Sequence, residues 1–141
     1  MVPSRRGALR ALLLILLAAR AAHAADRVES GKWESAITAD GALRTTTYCI
    51  TPEEAASLNG DSGTGRDFAE RKMRKAGVPC SFRSYEIKGD AVTYTMLCES
   101  RTITDKTVYH GQTSDGVKTI TKDGQTHEMF IRSRRIGACS P

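Results

Sequence analysis

The stretch CSFRSYEIKGDAVTYTMLC, residues 80–98, decides the fold. Two runs rich in β-branched and aromatic residues, 80–87 and 91–98, flank Lys88-Gly89-Asp90. Such runs around a Gly-Asp pair predict a β-hairpin. A hairpin centred near Gly89 sets Cys80 opposite Cys98, with the two sulfurs on facing positions of adjacent strands. A two-residue Gly89-Asp90 loop displaces this pairing by one residue, and a bulge restores it.

Two further cysteines, Cys49 and Cys139, bring the total to four. None of the four lies in a C-x-x-C pair, the close spacing that structural zinc sites favour, so two disulfides are expected rather than a four-cysteine metal site. With Cys80 and Cys98 paired across the hairpin, Cys49 is left for Cys139. That bond closes a long loop and restricts the unfolded chain by on the order of 4 kcal/mol.

Outward from the hairpin the same texture repeats. Asp40-Gly41, Asp115-Gly116 and Asp123-Gly124 are turn signals. Between them lie runs rich in Thr, Val, Ile and Tyr at 32–39, 42–50, 102–111, 117–121 and 126–136. About seven strands in an antiparallel meander are expected, a sheet that could close into a barrel. Two short helices interrupt it between the early strands. Thr51-Pro52-Glu53-Glu54 offers an N-cap, a proline at the first helical position and a glutamate completing a capping box. In the second helix Asp67 caps, Phe68, Ala69, Met73 and Ala76 form an apolar face, and Gly77 and Pro79 stop it. Residues 59–66, NGDSGTGR, are expected to be a mobile loop between the helices. The fold class is therefore mainly β, with one or two helices packed on the sheet.

The N-terminus carries an address. Arg5, Arg6 and Arg10 precede the apolar run ALLLILLAA at 11–19, and Ala22-His23-Ala24 has the form of a cleavage site. Residues 1–24 are expected to be a secretory signal peptide and 25–141 one disulfide-stapled domain in the periplasm, without a transmembrane anchor after cleavage. The strongly apolar core favours the general secretory route over twin-arginine export. The chain holds 21 Lys+Arg against 16 Asp+Glu, a formal charge of +5. Arg5, Arg6, Arg10 and Arg20 leave with the signal, so four of those five charges go. A surplus of one remains, too small to suggest nucleic-acid binding.

Candidate chemistry is sparse. Gly60-Asp61-Ser62-Gly63 resembles the nucleophile loop of trypsin-like proteases, but His110 and His127 both follow Ser62, whereas that family places its histidine upstream. The same stretch misses the P-loop pattern, because Asp67 stands where a hydroxyl should be. His110 and His127 could hold a metal with Asp105 or Glu128. The basic helix at 66–75 could touch an anionic surface, although a solvated helix covering the sheet is the simpler reading. Arg132 and Arg134 share one strand face, with Arg135 on the other, where they would blunt an exposed edge. Trp33 is the only tryptophan and is expected to pack the core at one end of the sheet.

Three segments together carry a resemblance: Gly31-Lys32-Trp33-Glu34, Cys49-Ile50-Thr51-Pro52-Glu53, and Arg134-Arg135-Ile136-Gly137-Ala138-Cys139. They resemble the domain of unknown function 3617 family, small exported proteins mainly of Proteobacteria. The resemblance implies export and this cysteine layout. It implies no catalytic residues, cofactor or ligand. Two functions stay open: a non-enzymatic binding or envelope-structural module, holding a small apolar molecule between sheet and helix, or a small hydrolase using Ser62 or a metal at His110 and His127. No cofactor is expected. A small apolar ligand or an envelope component is the expected partner.

Overall fold

A computed structural model describes residues 26–141. The expected signal peptide at 1–24 lies outside the described residues.

Seven antiparallel strands and two helices follow one another as β1 (Gly31–Ala39), β2 (Ala42–Ile50), α1 (Pro52–Asn59), α2 (Ser62–Lys75), β3 (Cys80–Lys88), β4 (Ala91–Cys98), β5 (Arg101–Tyr109), β6 (Thr113–Lys122) and β7 (Gln125–Gly137). The sheet order is β2-β1-β7-β6-β5-β4-β3. Consecutive strands pair except β2 and β3, and β7 returns to pair with β1. The order is that of an up-and-down ring opened at one place, between β2 and β3. The two helices are inserted in the chain at that opening. The sheet is therefore not closed into a barrel, and β2 and β3 are its edges.

The β3–β4 hairpin has the expected register. Lys88 pairs with Ala91 across Gly89-Asp90, a shift between Phe82 and Ser84 absorbs one residue, and Cys80 then faces Cys98. The two cysteine pairs lie at disulfide distance, Cys80 with Cys98 (Cα–Cα 4.2 Å) and Cys49 with Cys139 (5.7 Å). Asp40-Gly41 and Asp123-Gly124 turn their hairpins with φ positive at both residues, the backbone that matches strand twist.

Several expectations need correction. Asp115-Gly116 is not a turn but lies inside β6, held between Val108 and Thr107 of β5 and Arg132 and Ile131 of β7. The chain reverses earlier, at 110–112, so pairing on both sides overrides the local turn signal. Residues 62–66 are not a loop. They form the first turns of α2, which Asp61, not Asp67, caps by accepting from the Thr64 amide at 2.8 Å. The glycines there serve a close approach. A Cβ on Gly65 would sit 2.9 Å from the Tyr85 ring, so only glycine lets α2 lie this near β3. Finally, β7 is interior rather than an edge, and its arginines reach neighbouring groups. Arg134 binds Glu34 at 2.9 Å, Arg132 meets Asp115 at 3.4 Å, and Arg135 donates to the Ser30 carbonyl at 2.8 Å.

Helix α1 forms as expected. Thr51 Oγ1 accepts from the Glu54 amide at 3.1 Å, and Pro52 takes the first position, where its missing N–H costs nothing. The Glu54 carboxylate does not complete the capping box. It reaches Lys72 of α2 at 2.9 Å and ties the two helices together.

The buried core is small: Val28, Trp33, Ile50 and Ala55, with Leu58 and Tyr109 against it. Val28 enters from the segment before β1, whose importance the sequence did not signal. Asn59 brackets that residue, accepting from the Val28 amide and donating to its carbonyl, both at 2.9 Å. Arg27 donates to the carbonyls of Leu58 and Gly89. The segment is thereby strapped between the end of α1 and the β3–β4 turn.

Candidate functional site

Strand alternation gives the sheet two unlike faces. One carries Trp33, Tyr109, Val92, Tyr94, Tyr85 and Phe82, and the helices pack on it. Between α1 and α2 above and β3–β5 below lies a cavity of about 380 Å³. Its roof is Leu58, Phe68, Met73 and Ala76. Its floor is Phe82, Tyr85, Val92, Tyr94 and Met96, with Asp105, Thr107 and Tyr109 beyond them. The Glu54–Lys72 ion pair also lines it.

The floor is ordered by cross-strand register. Tyr85 faces Tyr94, Tyr94 faces Asp105, and Asp105 faces Lys118, in one row across β3, β4, β5 and β6. The Tyr85 and Tyr94 rings lie parallel, 6.2 Å apart, and Phe82 meets each edge-on at 5.3 and 5.5 Å. These are the arrangements the aromatic quadrupole prefers. The Asp105 side chain is only 9% exposed. One of its oxygens accepts from the Thr107 hydroxyl at 2.8 Å, and the other lies 3.5 Å from the Lys118 ammonium. A buried carboxylate needs such partners, since an isolated one would be too costly to desolvate.

Burial pushes the phenols of Tyr85, Tyr94 and Tyr109 up from their ordinary value, and the Asp105 carboxylate adds to the shift in each. The three stay neutral at any physiological pH. They offer hydroxyls and ring faces, not nucleophiles. The shifts also bear on stability. In the unfolded chain these phenols ionise near pH 10.0, whereas the fold holds its protons to higher pH. Their contribution is complete below that value and is lost as pH rises through the folded values. Urea midpoints should therefore fall between about pH 8 and about pH 11, and fall less in Tyr94→Phe and Tyr109→Phe. Equal falls in wild type and both variants would contradict this.

The residues singled out for chemistry are not brought together. Ser62 stands at the start of α2, where its hydroxyl accepts from the Ile87 amide at 2.7 Å and helps dock the helix on β3. His110 lies 3.9 Å from Asp115, and His127 3.7 Å from Asp40. The histidines sit near opposite ends of β6, beside Thr113 and Ile120, roughly 20 Å apart along the strands. Among the described residues no group of three His, Cys, Asp or Glu is placed to hold a metal. Asp105 faces the cavity instead. The sequence hinted at this, because Tyr85, Tyr94 and Asp105 occupy strand positions that alternate with polar neighbours. What it lacked was the register that aligns them.

The segments 31–34, 49–53 and 134–139 meet at one corner of the sheet, around Trp33. Lys32 pairs with Cys49 on one side and Gly137 on the other, and Glu34 pairs with Arg134. Arg135 lies over Gly31, where a Cβ would sit 2.5 Å from its Nε. These segments build the fold's staple and stand apart from the cavity floor.

The opposite face is uncovered. It holds a wider depression of about 790 Å³ lined by Leu43, Val108, Val117 and Phe130, with Arg132 and Asp115 among them. Its wall is the sheet alone, whereas the cavity lies between sheet and helices, and the two are about equally open to solvent. Among the described residues no helix is long and apolar enough to cross a membrane.

A family model described as protein of unknown function (DUF3617) matches residues 28–139. No curated protein and no solved structure matches the chain.

Proposed function

The chain belongs to the DUF3617 family of proteins of unknown function, and from that premise we propose that it is an exported, non-enzymatic binding module holding a small, largely apolar molecule between its helices and its sheet. The observation that carries this reading is the two-walled cavity of about 380 Å³, lined by aromatic, methionine and alanine side chains around one buried carboxylate. Pockets that bury small ligands have this make-up, mostly apolar walls with a few placed polar groups, and this one is at the small end of their usual size. Export and a periplasmic location are supported by the signal-like pattern of residues 1–24 and by two cysteine pairs at disulfide distance, which suit an oxidising compartment. The alternative, a hydrolase built on Ser62 or on a metal at His110 and His127, draws no support from the placement of those side chains.

Native mass spectrometry of protein purified from the periplasm tests the proposal. The wild type should begin at Ala25 and carry an adduct of a few hundred daltons, consistent with the cavity volume. Ala69 of α2 also lines the cavity, and Ala69→Trp, which puts an indole into its roof, should lose the adduct while staying folded. A clean apo mass for the wild type would count against ligand carriage, and a mass retaining residues 1–24 would count against processing.

A further inference from the structure

We infer that the cavity selects ligands with a cationic amine head, which Asp105 and the ring faces of Tyr85 and Tyr94 would receive, with an apolar tail lying along Phe68, Met73 and Met96. This deepens the proposed binding role and rests on it.

Charge on the lining argues for the sign. Its ionisable carboxylates and ammoniums are Glu54, Lys72 and Asp105. Lys72 is bound to Glu54 at 2.9 Å, so these two pair within the lining, and Asp105 is the one lining carboxylate with no cation on the lining itself. Lys118 pairs with Asp105 from the β6 side at 3.5 Å, an ion pair longer than a tight charged hydrogen bond, and is not part of the lining. The carboxylate therefore keeps lone pairs free for a donor arriving through the cavity. An anionic head would instead enter beside a nine-tenths buried carboxylate, with no unpaired cation on the lining to meet it.

The aromatic floor argues in the same direction. Tyr94 is the direct cross-strand neighbour of Asp105, and Tyr85 is the next in the row. Ring faces are electron-rich and attract ammonium groups, most strongly where water is excluded. The neutral phenols add hydroxyl acceptors. A carboxylate beside electron-rich rings, above a methionine- and phenylalanine-lined groove, suits a primary or quaternary ammonium on a short hydrocarbon.

A matched series separates head-group selection from mere apolar capture. Octylamine, octanol and octanoate share a tail and differ in charge near neutral pH, and their binding to the disulfide-intact protein can be read by isothermal titration. Octylamine should bind at least about tenfold more tightly than octanol, and octanoate most weakly. In Asp105→Asn the amine should weaken to the level of octanol, with octanol itself unchanged. Should that variant fail to fold, Tyr94→Leu serves the same purpose by removing a ring while keeping bulk. If octanol or octanoate matches octylamine in the wild type, the head-group inference is overturned and the cavity reading survives. If none of the three binds, the cavity reading falls and the inference with it.

Discussion

Trp33→Ala should remove about 3–5 kcal/mol of stability, the largest effect expected of any single substitution in this chain. The side chain is fully buried, and three pieces of chain meet on it: the strap carrying Val28, the end of β2 at Ile50, and α1 at Ala55. Its indole N–H donates to the Glu29 carbonyl at 3.0 Å and so also fixes the strap. Truncation leaves a void that the surrounding backbone cannot fill, since the corner is pinned by Arg135 over Gly31 and by the Cys49–Cys139 pair. Against a typical total of about 5–15 kcal/mol for a domain, such a loss is a large share. Guanidinium titration followed by far-ultraviolet circular dichroism would measure it, with the midpoint falling and the slope unchanged. Phe130→Ala is the control: that ring is 54% exposed on the uncovered face and should cost well under about 1 kcal/mol. Comparable losses from both substitutions would show that Trp33 is not the keystone.

Replacing both Cys49 and Cys139 with alanine should cost about 4.5 kcal/mol, and replacing both Cys80 and Cys98 about 3 kcal/mol. The difference comes from the loops they close, with sequence separations of 90 and 18. The longer loop restricts the unfolded chain more. Structure adds a second reason. The Cys49–Cys139 pair reaches across β1 to anchor β2, an edge strand exposed along its whole length except at Ile50. The Cys80–Cys98 pair joins strands that a tight hairpin already holds in register. Without Cys49–Cys139, backbone amides of β2 should lose hydrogen-exchange protection ahead of β4, β5 and β6, because that edge then opens by local unfolding. The ranking fails if the hairpin pair proves the costlier to remove, or if β2 stays as protected as the sheet interior.

Much of the fold was legible because it rests on short-range rules. Residues 80–98 contained their own turn, their own strands and a cysteine pair whose spacing demanded a bulge, and that bulge is present between Phe82 and Ser84. The first helix was equally readable, since Thr51 and Pro52 act on the backbone of their own first turn. The errors share a cause. Asn59 to Arg66 looked like a linker because glycine is a poor helix former, yet Gly65 is there to let α2 touch Tyr85, a contact twenty residues away in sequence. Asp115-Gly116 looked like a turn because the strands on either side of it could not be seen. The candidate site was less legible still. Asp105 was visible only as a conceivable metal ligand, and its place beside Tyr94 depends on the β4–β5 register.

The sequence by itself determined the meander, its turns at Asp40-Gly41, Gly89-Asp90 and Asp123-Gly124, the start of α1 and the partners of all four cysteines, because turn chemistry, capping and strand alternation act over a few residues. Only the tertiary structure decided that the sheet stays open between β2 and β3, that the strap at Val28 and the corner at Trp33 form one core, and that Tyr85, Tyr94 and Asp105 line a single cavity. Those outcomes depend on which distant surfaces pack together. Packing is set by shape and burial across the whole chain, which no local pattern records.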